Sequence, residues 1–380
     1  MIFGTEGHSA ALKLALTFAL LVAPVMTAHA QTYQISISNQ SDVVVLDQAE
    51  PEYPSGEVSS GQEGWVRMHF VVAPDGSAVD PVIIDSSGGA GFEAAAIKAT
   101  ETWRFEAAES GAELPNNLVN IRTRIRRNSD GPSSEFIRDY RDIMRNVVAE
   151  NVELARSKVD EAQARGGWNL YESTLLWLVV GRVESAEGDM ADKLEAYRRA
   201  LSMSSRRALG DKDRAGLMGR IFSLQDEYGQ YAEAMRTYSR LENSDGSEDL
   251  AAELGARAAE IEALMTSAEP LIANATIYNP CNCDAGKPLW YYRPARRTFS
   301  FANLNGNVER FEARCDSHRI SGDVEVDKSW TLAPEWGNCR VFVFGDDRAT
   351  FDFVEHASDG DKQSDGEDAV ARNHVLDRRN

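Results

Sequence analysis

The chain has 380 residues, of which 43% are hydrophobic and 26% are charged, and its formal net charge is −20. Single hydrophobic cores rarely grow past about 250 residues, so this length predicts two or three folded domains. The acidic balance argues against a nucleic-acid partner and against docking on an anionic lipid surface, because both depend on clustered Lys and Arg.

The first 30 residues have the pattern of an export signal. Lys13 precedes an apolar run, residues 14–26, which leads to the sequence Ala28-His29-Ala30. Such a run is short for a bilayer span of about 20 residues, whereas an Ala-x-Ala ending is typical of signal-peptide cleavage. We therefore predict a cleaved signal peptide over residues 1–30. An uncleaved inner-membrane anchor is the alternative.

A short leader and a strand follow the export signal. Residues 31–47 are polar at first and reach Val43–Val45, which suggests one strand at most. Gly64–Val72 then alternates side chains with the two-residue period of a β-strand. One face of this strand is apolar and the other is mixed.

The next segments complete a ββαβ unit. A Pro-Asp-Gly turn leads to a second strand at Val79–Asp85, and Phe92–Arg104 places apolar residues at helical spacing. A third strand follows at Leu118–Arg126. We predict one small domain over residues 48–131.

Six short motifs in this unit stand in a fixed order. They are Pro-Glu-Tyr-Pro at 51–54, Gly-x-Glu-Gly-Trp-Val at 61–66, Asp-Gly at 75–76, Ser-Ser-Gly at 86–88, Phe-Glu-Ala-Ala at 92–95 and Trp-Arg-Phe at 103–105. In this order and spacing, residues 48–127 resemble the C-terminal domain of the TonB energy-transducer family. The resemblance implies a small sheet with a helix on one face, and the export signal predicts a periplasmic location. It also implies a last strand whose exposed edge pairs with an extended segment of an outer-membrane receptor.

The last strand of the unit is therefore the candidate partner-binding edge. Its candidate contact residues are Leu118, Asn120, Arg122, Arg124 and Arg126. Charged side chains on an outer strand also prevent unwanted pairing, so a solvated and protected edge is the alternative.

The chain departs from the TonB pattern ahead of this domain. A working transducer has a membrane helix and a long Pro-rich spacer there, whereas only residues 31–47 separate the export segment from the domain here. At ~3.3–3.6 Å per residue, these span about 60 Å when stretched. We predict a periplasmic adaptor that binds protein partners, and a membrane-anchored atypical transducer is the alternative.

Residues 132–270 have the spacing of a helical domain. Ser133 or Ser134 is a candidate N-cap, and Gly166-Gly167 interrupts the helical pattern. One amphipathic face is predicted through Phe136, Tyr140, Ile143, Val147 and Leu154. A second stretch begins near Asn169 and resembles a tetratricopeptide repeat. Its matching residues are Trp177, Gly181, Gly188, Tyr197 and Ala200, with a weaker copy at Gly229, Tyr231, Ala234 and Tyr238. A generic helical bundle is the alternative, and the domain either presents a groove to a protein or braces the end domains.

Residues 271–356 contain six short runs rich in aromatic and β-branched residues, which predict a small antiparallel sandwich or barrel. The runs are Leu289–Tyr292, Arg297–Phe301, Val308–Ala313, Asp323–Val326, Arg340–Phe344 and Thr350–Val354. An Asn305-Gly306 pair predicts a hairpin turn. Beyond this domain, the acidic residues 357–380 predict a disordered tail.

All four cysteines lie in the predicted β domain. An even number in an exported chain predicts two disulfides among Cys281, Cys283, Cys315 and Cys339. The pairing stays open, although a bond between Cys281 and Cys283 is the least favoured. A redox-active Cys-x-Cys and a four-cysteine metal site are the alternatives, but no Cys-x-x-Cys or His pair supports the metal site.

The sequence contains no familiar catalytic or metal-binding motif, so we predict a protein that is not an enzyme and has no cofactor or metal site. Two alternatives concern the β domain. Cys315, Asp316 and His318 could support a thiol-based reaction, and Trp290–Tyr292 could line a glycan-binding surface. In total, the chain is predicted to be a multidomain α+β protein. It has a small ββαβ TonB-like domain, a helical repeat-like middle and a small antiparallel β domain with disulfides.

The export signal gives a first testable prediction. We expect the mature protein purified from the cell envelope to begin at Gln31, because cleavage follows Ala30. Amino-terminal sequencing measures this directly. A protein that retains residues 14–28 and fractionates with the inner membrane would instead support the anchored transducer.

Overall fold

The computed structural model describes residues 31–357, with gaps at 40–42, 53, 55, 58–61, 88–89, 109–110, 126–130, 281–286 and 327. The described residues form an N-terminal domain (31–125), a helical domain (134–266) and a C-terminal β domain (271–356). The predicted signal peptide and the tail after residue 357 lie outside the described residues. Among the residues that are described, no helix is both long and apolar enough to cross a membrane.

The N-terminal domain contains the predicted strand–strand–helix–strand order. Its elements are β1 (Gln31–Asn39), β2 (Val45–Asp47), β3 (Gly64–Val72), β4 (Ala78–Ser86), α1 (Ala90–Thr102), β5 (Arg104–Phe105) and β6 (Leu114–Ile125). Four strands form an antiparallel sheet in the order β1-β6-β3-β4, and β2 pairs with β5 separately. The predicted leader is therefore more than a connection, because nine of its residues form a strand of the sheet.

The two faces of β3 are both buried, each by a different part of the chain. Met68 and Phe70 face α1 and join Trp103 in the core of the N-terminal domain. On the opposite face, Trp65 packs in a cluster with residues of the helical domain, and His69 is fully buried. The face that looked mixed in the sequence is thus a boundary between domains.

A further apolar cluster joins the N-terminal domain to the C-terminal β domain. Ile84 and Leu118 contribute from the N-terminal domain, and Leu289, Phe342 and Phe344 contribute from the C-terminal β domain. These side chains are all at most 5% exposed, so the sheet of the N-terminal domain has α1 on one face and the other two domains on the other.

The helical domain contains α2 (Ser134–Val148), α3 (Val152–Arg165), α4 (Leu170–Glu187), α5 (Met190–Met203), α6 (Asp211–Glu227), α7 (Tyr231–Glu242) and α8 (Glu248–Thr266). Two predicted helix starts are confirmed. Ser133 accepts a hydrogen bond of 3.1 Å from the Phe136 N–H, and Asn169 forms a capping box with Glu172. The single amphipathic face predicted through Leu154 is wrong, because α2 ends at Val148 and the Leu154 side chain is exposed.

Short glycine turns join the helix pairs of this domain. Gly188 ends α4 with φ at 89°, and a Cβ on Gly181 would lie 2.3 Å from the Tyr197 ring, so α4 and α5 are closely packed. The predicted turn at Gly229 is also present, and it lies against the Ile272 carbonyl of the C-terminal β domain. The predicted helix pairs are thus present, whereas their membership of the tetratricopeptide family stays a prediction.

The C-terminal β domain is a sandwich of two four-stranded antiparallel sheets, as predicted. Its strands are β7 (Leu271–Thr276), β8 (Leu289–Tyr292), β9 (Thr298–Asn305), β10 (Val308–Cys315), β11 (Arg319–Asp323), β12 (Ser329–Thr331), β13 (Cys339–Gly345) and β14 (Thr350–His356). The sheet orders are β11-β10-β13-β8 and β12-β9-β14-β7. The hairpin predicted at Asn305-Gly306 is wrong, because β9 and β10 belong to different sheets and the turn crosses between them. The strand predicted at Asp323–Val326 is also wrong, since β11 ends at Asp323.

One predicted disulfide is present between adjacent strands. Cys315 of β10 and Cys339 of β13 are directly opposed and bonded. The bond crosslinks two neighbouring strands of one sheet. Cys281 and Cys283 lie outside the described residues.

Glu93 of α1 is a buried carboxylate in the N-terminal domain. Ser86 Oγ donates a hydrogen bond to Glu93 Oε1, whereas Oε2 has no hydrogen-bond partner among the described residues. Burial raises the pKa of Glu93 to about 7. This pKa lies above the value of about 4.3 that a glutamate has in the unfolded chain. Proton binding at Glu93 therefore stabilises the folded protein, and this contribution to the free energy of unfolding is complete below about pH 4. It is lost as the pH rises through about 7.

We expect Glu93→Gln to remove this pH-dependent loss. The free energy of unfolding of the variant should exceed that of the wild type by on the order of 1–3 kcal/mol at pH 8. The difference should nearly vanish near pH 4, where Glu93 is protonated in the folded protein and mostly protonated in the unfolded chain. Urea denaturation at both pH values measures the difference. Glu101→Gln, an exposed position on the same helix, is the matched control, and an equal gain at both pH values for Glu93→Gln would contradict the prediction.

Candidate functional site

The predicted partner-binding strand, β6, lies inside the sheet of the N-terminal domain. It pairs antiparallel with β3 on one side and with β1 on the other. The register with β1 runs from Gln31 opposite Ile125 to Asn39 opposite Asn117. The prediction that Leu118–Arg126 forms an exposed edge is therefore wrong in this structure, because the leader occupies that side.

The five predicted contact residues have different environments. Leu118 is buried against the C-terminal β domain, and Asn120 is half-buried. Arg122 reaches the end of α5, where its Nη2 donates a hydrogen bond of 2.5 Å to the Ser202 carbonyl. The Arg124 side chain and all of Arg126 lie outside the described residues. Leu118 and Arg122 thus contact other domains of the chain itself.

The β1 strand lies on the rim of the sheet with two contrasting faces. Ile35 and Ile37 are half-buried and pack against the core cluster that contains Val119 and Ile121 of β6. Gln34 on the other face is exposed to solvent, as is Ser36. Within the described sheet, β6 is the one neighbour of β1, so the sheet ends at the outer side of β1.

The opposite rim of the sheet, β4, is poorly suited to strand addition. Pro81 in β4 has no backbone N–H to donate, and the pairing of β4 with β3 contains two register shifts. Arg319 of the C-terminal β domain also forms ion pairs with Asp80 of β4, at 2.5 Å, and with Glu113, at 2.8 Å. An added strand would therefore pair on the β6 side of the sheet.

A buried polar network that sequence reasoning did not identify joins the N-terminal domain to the C-terminal β domain. His69 Nε2 lies 3.2 Å from Asn116 Oδ1, and Asn116 Nδ2 donates a hydrogen bond of 2.9 Å to Asp316 Oδ1. Burial and the nearby Arg314 and Arg340 hold the pKa of His69 well below its usual value, so the imidazole is neutral. In the sequence, a histidine on the mixed face of β3 was the signal that could have indicated this boundary between the two domains.

A polar pocket lies where the three domains meet. Arg199 of α5 has its Nε 2.8 Å from Glu195 Oε1 and 3.6 Å from Asp85 Oδ1 of β4. Arg198 donates a hydrogen bond of 3.0 Å to the Tyr291 hydroxyl of β8. Burial raises the pKa of Asp85, and Arg199 opposes this rise. Because these opposite charges lie close together, we interpret the pocket as an ion network between domains.

The thiol-based alternative requires a free thiol at Cys315, which this structure does not have. Cys315 is bonded to Cys339, and Asp316 accepts hydrogen bonds from neighbouring amides. His318 stacks on Trp336 with ring centroids 5.2 Å apart. Over the described part of the chain, no group of three or more His, Cys, Asp or Glu is placed to hold a metal ion.

The three consecutive aromatics of β8 do not form a binding surface. Trp290 and Tyr292 are buried in the core of the β sandwich. Tyr291 is half-buried and points to the pocket between the domains, where Arg67 Nη1 donates to its hydroxyl at 3.4 Å. The glycan-binding alternative for these residues is therefore wrong.

Comparisons with known proteins identify the N-terminal domain. Residues 49–126 match the family described as Gram-negative bacterial TonB protein C-terminal. The solution NMR structure of the Pseudomonas aeruginosa TonB CTD is 26% identical in sequence, with a TM-score of 0.20. That match covers 25% of this chain and 94% of the other. No curated protein matches the chain. The predicted TonB-like domain is confirmed.

The position of Arg122 gives a prediction about stability. We expect Arg122→Ala to lower the free energy of unfolding by about 1–2 kcal/mol, because it removes charge-assisted hydrogen bonds between β6 and the end of α5. Chemical denaturation measures this change. Asn120→Ala, two residues away on the same face of β6, is the control and should cost less. An unchanged stability for Arg122→Ala would show that the contact with α5 does not hold the domains together.

Proposed function

We propose that this protein is an exported adaptor of the Gram-negative cell envelope, and that it binds an extended segment of a protein partner on the β6 side of its N-terminal sheet. The observation that carries the proposal is the pairing of β6 with a nine-residue strand on that side. In strand addition, backbone hydrogen bonds supply affinity and alternate side chains supply specificity.

The family match supports the class of partner. TonB C-terminal domains interact with outer-membrane receptors, and the matched residues 49–126 include the whole of β3, β4, α1 and β6. A segment of an outer-membrane receptor is accordingly the proposed partner. The proposed location is the periplasm, which also suits a disulfide such as Cys315–Cys339.

The other two domains have a bracing role in this proposal. They cover the second face of the sheet with buried apolar side chains, among them Leu170 of the helical domain and Phe342 of the C-terminal β domain. The proposal includes no catalytic step. Binding through strand addition needs a rigid sheet, and the two domains hold that sheet in place.

Site-specific photocrosslinking tests the proposal. A photoreactive amino acid replaces Asn120 on β6, Arg220 on α6 or Glu335 in the C-terminal β domain, one position in each domain. Arg220 and Glu335 are exposed, and Asn120 is half-buried beside the sheet rim. Each variant is expressed in the native envelope, irradiated and analysed by mass spectrometry. Circular dichroism confirms that each variant remains folded.

We expect an adduct with an outer-membrane receptor from position 120 and none from the other two positions. Adducts only from position 220 or 335 would place binding in the helical or C-terminal β domain and leave the N-terminal domain as a scaffold. Absence of an envelope-protein adduct from all three positions would contradict the adaptor proposal.

A further inference from the structure

The strand β1 occupies the side of β6 on which a partner strand would pair. Its nine residues continue the antiparallel sheet beyond β6 in an unbroken register. An added strand cannot form the same backbone hydrogen bonds while β1 forms them. The chain therefore fills its own candidate binding edge.

We propose that β1 is an internal occupant of this edge, and that a partner segment binds to β6 by replacing it. This inference rests on the proposed function for the identity of the partner, but the exchange of β1 can be measured without that partner. Before exchange the edge is closed, and after exchange the partner segment is the fourth strand of the sheet.

The contacts of β1 suit a replaceable strand. Ile35 and Ile37 are its described apolar anchors, and both are only half-buried. The neighbouring β6 residues Val119 and Ile121 are 0% and 2% exposed, so they belong to the permanent core. In the described sheet, β1 pairs on one side only. Its release would leave the pairing of β6 with β3 intact.

The predicted export site adds an independent reason. Cleavage after Ala30 would make Gln31, the first residue of β1, the new N-terminus. A strand at a free chain end can leave a sheet without unthreading a loop. The other end of β1 remains connected, so a released β1 stays close and can return.

The side chains of β1 also indicate the chemistry of the competing segment. The core cluster beside β6 accepts β-branched apolar side chains two residues apart, as in Ile35 and Ile37. Polar residues stand between and before them, at Ser36 and Gln34, on the exposed face. The fitting partner is an extended segment with two β-branched residues at alternate positions and polar residues between them.

A labelled peptide with the sequence of residues 31–39 is the probe. Its binding to the full mature protein is measured by fluorescence anisotropy. In the opened variant, Ile35→Asp and Ile37→Asp place charges against the apolar cluster and weaken the docking of β1 without changing β6. The control variant, Gln34→Asp with Ser36→Asp, adds the same charge on the exposed face of β1. In the locked variant, Ser36→Cys and Asn120→Cys, which are directly opposed, hold β1 on β6 by a disulfide.

We expect the opened variant to bind the peptide at least about tenfold more tightly than the wild type, because a site occupied nine-tenths of the time loses that factor in apparent affinity. The control variant should behave as the wild type, and the oxidised locked variant should not bind. A peptide carrying Asp at both isoleucine positions should bind none of them. Circular dichroism and thermal unfolding check each fold, and amide exchange of β6 in the opened variant should increase.

Two results would overturn the inference. Equal peptide affinity for the wild type, opened and locked proteins would mean that the peptide adds to the outer side of β1. No binding to a folded opened variant, with unchanged exchange of β6, would mean that β1 is a permanent strand. The proposed function fails separately. Peptide exchange as expected, combined with no envelope-protein adduct from position 120, would leave the exchange of β1 established and contradict the receptor partner.

Discussion

The burial of both faces of one four-stranded sheet is the constraint on which the rest of this structure depends. A sheet with a helix on one face still exposes the other, and an apolar face of that size must be covered. Here α1 covers one face, whereas the helical domain and the C-terminal β domain cover the second through Trp65, Ile84 and Leu118. The faces are therefore closed to partners, and only the rims of the sheet can form new strand pairs.

The boundary between the domains combines apolar clusters with paired charges. Buried charges cost free energy unless they are paired and hydrogen-bonded, and a misplaced domain would leave them unpaired. Arg199 is buried with its partners Glu195 and Asp85 at one boundary, and the partly exposed Arg319 pairs with Asp80 and Glu113 at another. Ion pairs of this kind fix the relative orientation of the domains, which the non-directional apolar contacts do not fix. The two ion pairs of Arg319 also lie at the β4 rim, so the contacts that fix the domains leave the β1 rim better suited to a new strand.

Local sequence patterns predicted the helices and strands well, but they predicted poorly which of these elements lie beside one another. The alternation of Gly64–Val72 and the caps at Ser133 and Asn169 depend on nearby residues, and the structure confirms them. The strand β1 carries only two isoleucines among polar residues, and its partner β6 begins 75 residues after β1 ends (114 − 39). A turn such as Asn305-Gly306 has the same local chemistry whether it closes a hairpin or crosses between sheets. Distant strands decide which of the two forms.

At the candidate site, too, local patterns predicted the elements but not the contacts that distant residues make with them. The family motifs identified the domain, because those motifs record turns and core positions within one unit, and the third predicted strand identified β6. The roles of Leu118 and Arg122 could not follow from them, since their contacts come from Phe342 and from the end of α5, more than 75 residues away. The mixed face of β3 was a weak sign that another domain covers it. A buried His69 on that face is explained only when Asn116 and Arg340 are seen beside it.

The pairing of β1 also changes what the short leader can do mechanically. Fully stretched, residues 31–47 would span about 60 Å, but nine of them are held beside β6 in β1 and cannot reach away from the sheet while the pairing lasts. Residues 45–47 are held as well, in the pairing of β2 with β5. A pull applied at residue 31 would therefore act first on the hydrogen bonds between β1 and β6. If the export segment were retained as an anchor, tension would expose the edge of β6, whereas in a cleaved chain only a competing strand could do so. If β1 exchanges as proposed, the state of residue 31 decides whether force or a competing strand releases it.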